Sequence, residues 1–188
     1  EIREDYVHDR QVIIAPGRSR RPHDTAPSSV KPVAPSPEKD SFSPENLRKV
    51  KALLTVGGQR NWRIKVLKNI YPVVSPENPK AYGFQEVVVE TPKYGVELST
   101  LPVEHIAELL RVYGRRMRWL QSDKKIRYIL IFKNNGGRAG ASLNHAHSQI
   151  FASQYVPPHI ITRRERAEAY RIEHNRDYYS DLLLREEN

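Results

Sequence analysis

Residues 141–151 read ASLNHAHSQIF and place His145, His147 and Gln149 at strict two-residue spacing. Side chains on a strand alternate between faces, so these three polar groups share one face with Phe151. Ala146, Ser148, Ile150 and Ala152 take the other face, which is small or apolar enough to pack against a core. Immediately upstream, FKNNGGRAGAS supplies a glycine-rich bend of backbone N–H groups, with Asn134 and Ser142 as further donors. Such a loop beside a strand can cradle phosphate oxygens. An imidazole next to an anion-binding loop is the nucleophile that phosphoryl or nucleotidyl transfer requires. Two histidines at this spacing also suit a metal pair or a solvated surface, so the row alone leaves three readings open. The adjoining glycine loop favours the first.

The surrounding elements must hold this row in place. Residues 127–132 (RYILIF) predict a strand, HSQIFAS predicts a second, and a pairing between about 127–133 and 147–152 follows from the short connection. Residues 11–14, 63–67 and 86–90 (EVVVE) read as further strands. Val103, Ile106, Leu110, Tyr113, Met117 and Leu120 are spaced 3, 4, 3, 4, 3, which predicts a helix over about 102–121 with that stripe facing the sheet. Pro102 suits its first turn and Ser99 or Thr100 its cap. His105 falls off the stripe and reads as solvated. A polar helix is expected over about 163–184. Strands, one helix and then closely connected strands point to an α+β fold with an antiparallel sheet and a packed helix, and away from parallel βαβ units. The division expected is an N-terminal strand and basic turn over 1–21, a Pro/Ser-rich mobile loop over 22–60, a core over 61–160 and a C-terminal polar helix over 161–188.

The 188 residues suffice for one domain with a real core. Lysine and arginine outnumber the acids 31 to 22, a formal charge of +9, which favours anionic partners without choosing among them. No cysteine is present, which excludes disulfides and thiolate metal sites. No apolar run approaches the roughly 20 residues that cross a bilayer, and EIREDYVHDR is too charged for a signal peptide. The expectation is a soluble cytoplasmic protein with no membrane partner.

GRAGASLNHAHSQI resembles the active-site segment of the histidine-triad superfamily, in particular the galactose-1-phosphate uridylyltransferase branch with its His-x-His-x-Gln motif. The resemblance implies a histidine-triad-like fold and a nucleotidyltransferase in which His147 attacks the α-phosphorus and forms a nucleotidyl-histidine. It also implies that the backbone carbonyl of His145 orients the His147 ring. Triad hydrolases have a third histidine where this chain has Gln149. An amide is no general acid or base but can hydrogen-bond phosphoryl oxygens, so the intermediate waits for a phosphate acceptor. Arg18 and Arg21, in GRSRRP, fall on the family's Arg-x-x-Arg-Pro element, whose arginines contact substrate phosphates. Asn69, in KNIYP, falls near the nucleotide, and Asn134, Gly140 and Ser142 match the phosphate loop. Implied substrates are a nucleotide sugar and a sugar 1-phosphate. An ADP-glucose or dinucleoside-tetraphosphate phosphorylase fits the same row. An idle nucleotide- or RNA-binding module is the reading from another class, and the scattered positive charge makes nucleic acid the weaker partner.

The chain departs from the family in two ways. Many members hold a structural zinc with Cys-x-x-Cys, a later histidine and the first histidine of the motif. Here Asp40 and Ser43 stand near the cysteine positions and Tyr94 at the later histidine, a poor donor set for zinc beside His145, so no metal or other cofactor is expected. The likeness also covers only the nucleophile-bearing half of a two-half architecture, which implies either a second half or a homodimer. Trp62 and Tyr71 flank the expected nucleotide pocket as core residues or as stacking platforms. His8, His23, His159 and His174 share no spacing that suggests a site.

Overall fold

The computed structural model describes residues 1–4, 11–16, 40–135, 139 and 143–187. A small hairpin pairs β1 (Ile2–Glu4) with β2 (Gln11–Ile13). The main sheet contains β3 (Leu54–Gly57), β4 (Trp62–Lys68), β5 (Gly83–Val89), β6 (Tyr128–Phe132) and β7 (His147–Ser153) in the order β3-β4-β5-β7-β6, every pair antiparallel. α1 (Val103–Gln121) packs on one face of this sheet, and α2 (Pro158–His174) and α3 (Tyr178–Glu186) follow β7. This is the α+β architecture expected from the sequence, including the β6–β7 pairing. No helix among the described residues is long and apolar enough to cross a membrane.

The two faces of the sheet follow from period-2 alternation. Ile64, Val66, Val88, Ile150 and Ala152 point toward α1, where they bury Leu109, Val112 and Leu120. On the opposite face Leu67 and Val89 cluster with Leu47 and the partly buried Phe42 and Val87, and Trp62 joins them where the β3–β4 register shifts and the alternation breaks. Register places Val89 opposite His147 and Val87 opposite Gln149, so the polar pair lies on this second face. Gly83 starts β5 against the end of β7, and a Cβ there would lie 2.1 Å from the Ala152 carbonyl oxygen, so only glycine permits the pairing.

Four local expectations are corrected. The buried stripe of α1 is Leu109, Val112, Arg116 and Leu120, while Val103 and Leu110 are 76% and 60% exposed. The stripe is rotated because Arg116 is buried in an ion pair with Glu86 of β5, Nε to Oε2 at 2.9 Å, and a cation does not register in an apolar pattern. No side chain caps α1. Residues Leu98–Thr100 form a 3-10 turn instead, and Pro102 supplies the carbonyl for the first amides of the helix. The expected loop over 22–60 contains, from Asp40 onward, a turn, the 3-10 segment Asn46–Arg48 and strand β3. The expected C-terminal helix is two helices, because Asn175 takes the left-handed conformation (φ 51°) and Asp177 caps α3 by accepting from the Ser180 amide at 2.8 Å.

The Glu86–Arg116 pair has side-chain exposures of 3% and 8%, against 26% and 54% for the Glu108–Arg63 pair on the helix surface. Removing one partner of a buried pair strands the other charge. Arg116→Ala is expected to cost about 3–5 kcal/mol in denaturant unfolding, whereas Arg63→Ala should cost no more than about 1 kcal/mol. Equal losses for the two variants would overturn this assignment.

Candidate active site

β7 begins at His147, and the ring of that residue is fixed by its own main chain. Nδ1 of His147 lies 2.8 Å from the backbone carbonyl of His145. A carbonyl only accepts, so Nδ1 is the protonated nitrogen and Nε2 carries the lone pair. This is the contact the sequence resemblance implied. The residue is 7% exposed, and its ring stands 5.3 Å, centroid to centroid, from the ring of Phe42.

His145 is buried and plays a different part. Nε2 donates to the Thr91 carbonyl at 2.7 Å, and Nδ1 is hydrogen-bonded to Oδ2 of Asp40 at 2.7 Å. Asp40 also accepts from the Phe42 amide at 3.0 Å, so the turn that brings Phe42 to His147 is pinned by the residue that pins His145. Tyr94 presents its ring edge-on to His145 at 6.0 Å. These side chains do not fit the family's zinc. Asp40 and His145 are in direct hydrogen-bond contact with no room for an ion between them. The Ser43 hydroxyl accepts from the Asn46 amide at 3.2 Å, and the Tyr94 ring meets that of His145 in a T-shaped contact. Among the described residues no three His, Asp or Glu side chains are assembled to hold a metal.

Gln149 is oriented by two other amides. Its Oε1 accepts from Nε2 of Gln85 at 2.8 Å and from Nδ2 of Asn69 at 3.4 Å. Gln85 is held by the Val73 amide at 2.8 Å and Asn69 by the Tyr71 amide at 2.8 Å. With its oxygen engaged, Gln149 presents its N–H donors beside His147. Gln85 was not singled out from the sequence. A polar residue in the strand GFQEVVV, on the face that carries Val87 and Val89, was the available signal.

Two clefts meet at His147. One, of ≈ 190 Å³, is lined largely by apolar groups including Phe42, Leu47, Leu67, Ile70, Tyr71 and Val87, with Asn69 and Gln149 at its polar edge. The other, of ≈ 530 Å³, is polar and lined by Tyr94, Glu97, Lys133, Asn134, Asn144 and His145. The first suits a planar base and the second an anion. The fold therefore brings together His145, His147, Gln149, Asn69 and Asn134. Arg18, Arg21, Gly140 and Ser142 lie outside the described residues. Trp62 is a core residue at 3% exposure, whereas Tyr71 does line the apolar cleft. His105, expected to be solvated, is half-buried with Nε2 2.6 Å from the Glu90 carbonyl, because the true helix face includes its position. On the back of β7 the Tyr113 hydroxyl pairs with that of Ser148 at 2.6 Å, and burial, with Glu90 nearby, pushes the Tyr113 phenol up to about 12. Tyr113 is a neutral prop, not an acid.

The family model described as the galactose-1-phosphate uridyl transferase N-terminal domain matches residues 65–157, which contain the whole row. ADP-glucose phosphorylase of Arabidopsis thaliana is 32% identical over 90% of this chain and 53% of its own length. Galactose-1-phosphate uridylyltransferase of Thermotoga maritima is 27% identical over 85% of this chain and 48% of its own. The crystal structure of an Arabidopsis thaliana ADP-glucose phosphorylase with bound ADP-glucose superposes with a TM-score of 0.69 at 29% identity, covering 94% of this chain and 56% of that one. The chain thus spans about half the length of the relatives it matches.

Asp40 is the pivot of the buried His145 contact. Asp40→Ala is expected to lower stability by about 3 kcal/mol or more in denaturant unfolding, since it leaves a buried imidazole without its partner. Ser43→Ala, which removes one neutral hydrogen bond, should cost about 1 kcal/mol. A loss at Asp40 no larger than that at Ser43 would show that the His145 ring is held by other contacts.

Proposed function

We propose that this chain, whose residues 65–157 belong to the galactose-1-phosphate uridyl transferase N-terminal domain family, is the nucleophile-bearing part of a nucleotidyltransferase resembling UDP-glucose:hexose-1-phosphate uridylyltransferase. The observation that carries this reading is the tautomer of His147. Its Nδ1 proton is held by the His145 carbonyl, and the residue lines both the apolar and the polar cleft.

In this reading the base and ribose occupy the cleft with Asn69 and Tyr71, and the phosphates extend past His147 toward Asn134. Nε2 forms a bond to the α-phosphorus while the bond from that phosphorus to the bridging oxygen breaks, and the sugar 1-phosphate leaves with the electron pair. A phosphate oxygen of a second molecule then attacks the same phosphorus and Nε2 departs. The N–H donors of Gln149 hold the phosphoryl oxygens in both steps, and an amide cannot take a proton from an attacking water. His145 acts through the main chain by orienting His147. Arg18, Arg21, Gly140 and Ser142 are proposed as further phosphate contacts on the sequence resemblance. A cytoplasmic setting is proposed with them, and a second half or a second copy of the chain completes the enzyme.

The Arabidopsis relative favours a second reading in which the transferred group is AMP and the acceptor is inorganic phosphate, as in an ADP-glucose phosphorylase. The row serves both, since the reaction at the α-phosphorus is the same. No metal takes part in either reading. The Asp40–His145 hydrogen bond does the positioning that zinc does in the family.

Incubation with UDP-glucose and with ADP-glucose, followed by intact mass measurement, separates the readings. A UMP adduct supports the first, an AMP adduct the second, and the absence of both from the complete protein sinks covalent transfer. His147→Ala should abolish adduct and turnover while leaving nucleotide binding within about threefold. Gln149→His restores an ionisable group beside the phosphorus and should yield slow nucleotide-sugar hydrolysis at the expense of transfer. Elemental analysis of protein purified without chelator should find well under one zinc per chain. Stoichiometric zinc would refute the metal-free assignment.

A further inference from the structure

Lys133 carried no expectation from the sequence, yet it forms part of the wall of the polar cleft beside His147. It follows β6 directly, and its Nζ donates to Oε2 of Glu90 at 2.8 Å and to the backbone carbonyl of His147 at 3.3 Å. Glu90 is fully buried. Its amide donates to the Ala146 carbonyl at 3.1 Å and its carbonyl receives His105, so its backbone is tied to the start of β7 and to α1. The second carboxylate oxygen, Oε1, is buried and has no hydrogen-bond partner among the described residues. A carboxylate in that position is costly unless a cation stands against it. Lys133 is that cation.

The pair does more than neutralise itself. An ammonium has three N–H donors, and the two contacts account for two of them. The Lys133 side chain is 20% exposed against 1% for Glu90, and its exposed part faces the cleft. The ion pair is therefore a dipole with its negative end in the interior and its positive end at the cleft wall. Lys133 is also the one lysine or arginine among the described residues that line this cleft. Its contact to the His147 carbonyl fixes the charge relative to the residue whose ring attacks phosphorus.

We infer that Lys133 is the phosphate-binding cation of this cleft. Its third N–H, together with the Asn134 amide, takes the phosphate that departs from or attacks the phosphorus at His147. The ligand class is a phosphate dianion, either a phosphate monoester or inorganic phosphate. The place of this contact in the reaction rests on the reading of His147 as the nucleophile, whereas the binding itself does not. Such a cation selects an anionic acceptor over water or a neutral hydroxyl, which complements an amide at position 149 that activates neither.

The test is direct binding, followed by NMR, of inorganic phosphate and separately of uridine and adenosine to the complete protein. Lys133→Met strands the Glu90 carboxylate, so the double variant K133M/E90Q, in which both charges are removed, is measured beside it. Both variants should weaken phosphate by about tenfold or more, the loss of one charge-assisted hydrogen bond. Nucleoside affinity should stay within about twofold, and Lys133→Arg should retain most of the phosphate affinity. The inference is overturned if the wild-type protein binds no phosphate, if K133M/E90Q binds it as the wild type does, or if phosphate and nucleoside weaken in parallel. Failure of the wild-type protein to form a nucleotidyl adduct would sink the transfer reading and leave the phosphate result standing.

Discussion

The site depends on β7 being paired on both edges. It runs antiparallel to β5 on one side and β6 on the other, so its side chains have only two directions to point. Ile150 and Ala152 are fully buried against α1, and this burial fixes which direction His147 and Gln149 take. A slip of one residue would drive the two polar groups into the helix interface and expose the apolar ones. Burying each large apolar side chain is worth about 1.5–3 kcal/mol, so the core sets the register and the chemistry inherits it.

Around that strand three contacts between ionisable side chains each join segments distant in sequence. Glu86–Arg116 ties the sheet to α1, Glu90–Lys133 ties the end of β5 to the end of β6, and Asp40–His145 ties an N-terminal turn to the start of β7. Desolvating these groups is costly, and apolar pairs of similar volume would often serve stability as well. What such pairs add is geometry, because a hydrogen bond fixes an angle that apolar contact leaves loose. Two of the three touch residues adjoining His147: one holds His145, whose carbonyl sets the His147 tautomer, and the other reaches the His147 carbonyl.

The two clefts at His147 differ in character, as the proposed nucleotide-sugar substrate requires. The apolar one is lined mainly by Phe42, Leu47, Leu67, Ile70 and Val87, with Asn69 and Gln149 beside His147, and the polar one carries Lys133, Asn134 and Asn144. The amides of Gln85, Asn69 and Gln149 are linked so that the last has its oxygen engaged and its nitrogen available. A histidine at position 149 would also be a donor, but one that can exchange its proton with water.

The sequence by itself determined the elements whose signal is local. Period-2 alternation announced β7, the apolar run YILIF announced β6, and the spacing of His145, His147 and Gln149 put three polar groups on one face. β3 went unread because LTVG is short and follows a proline-rich stretch. The face of α1 was misplaced because Arg116 is buried only by virtue of Glu86, thirty residues away. Tertiary structure alone decided the rest. Asp40 meets His145 across more than a hundred residues, Gln85 meets Gln149 across a strand pair, and Lys133 meets a buried Glu90. Each is a pairing of polar groups that are unremarkable in isolation, and only the low dielectric of a packed interior makes such pairings obligatory.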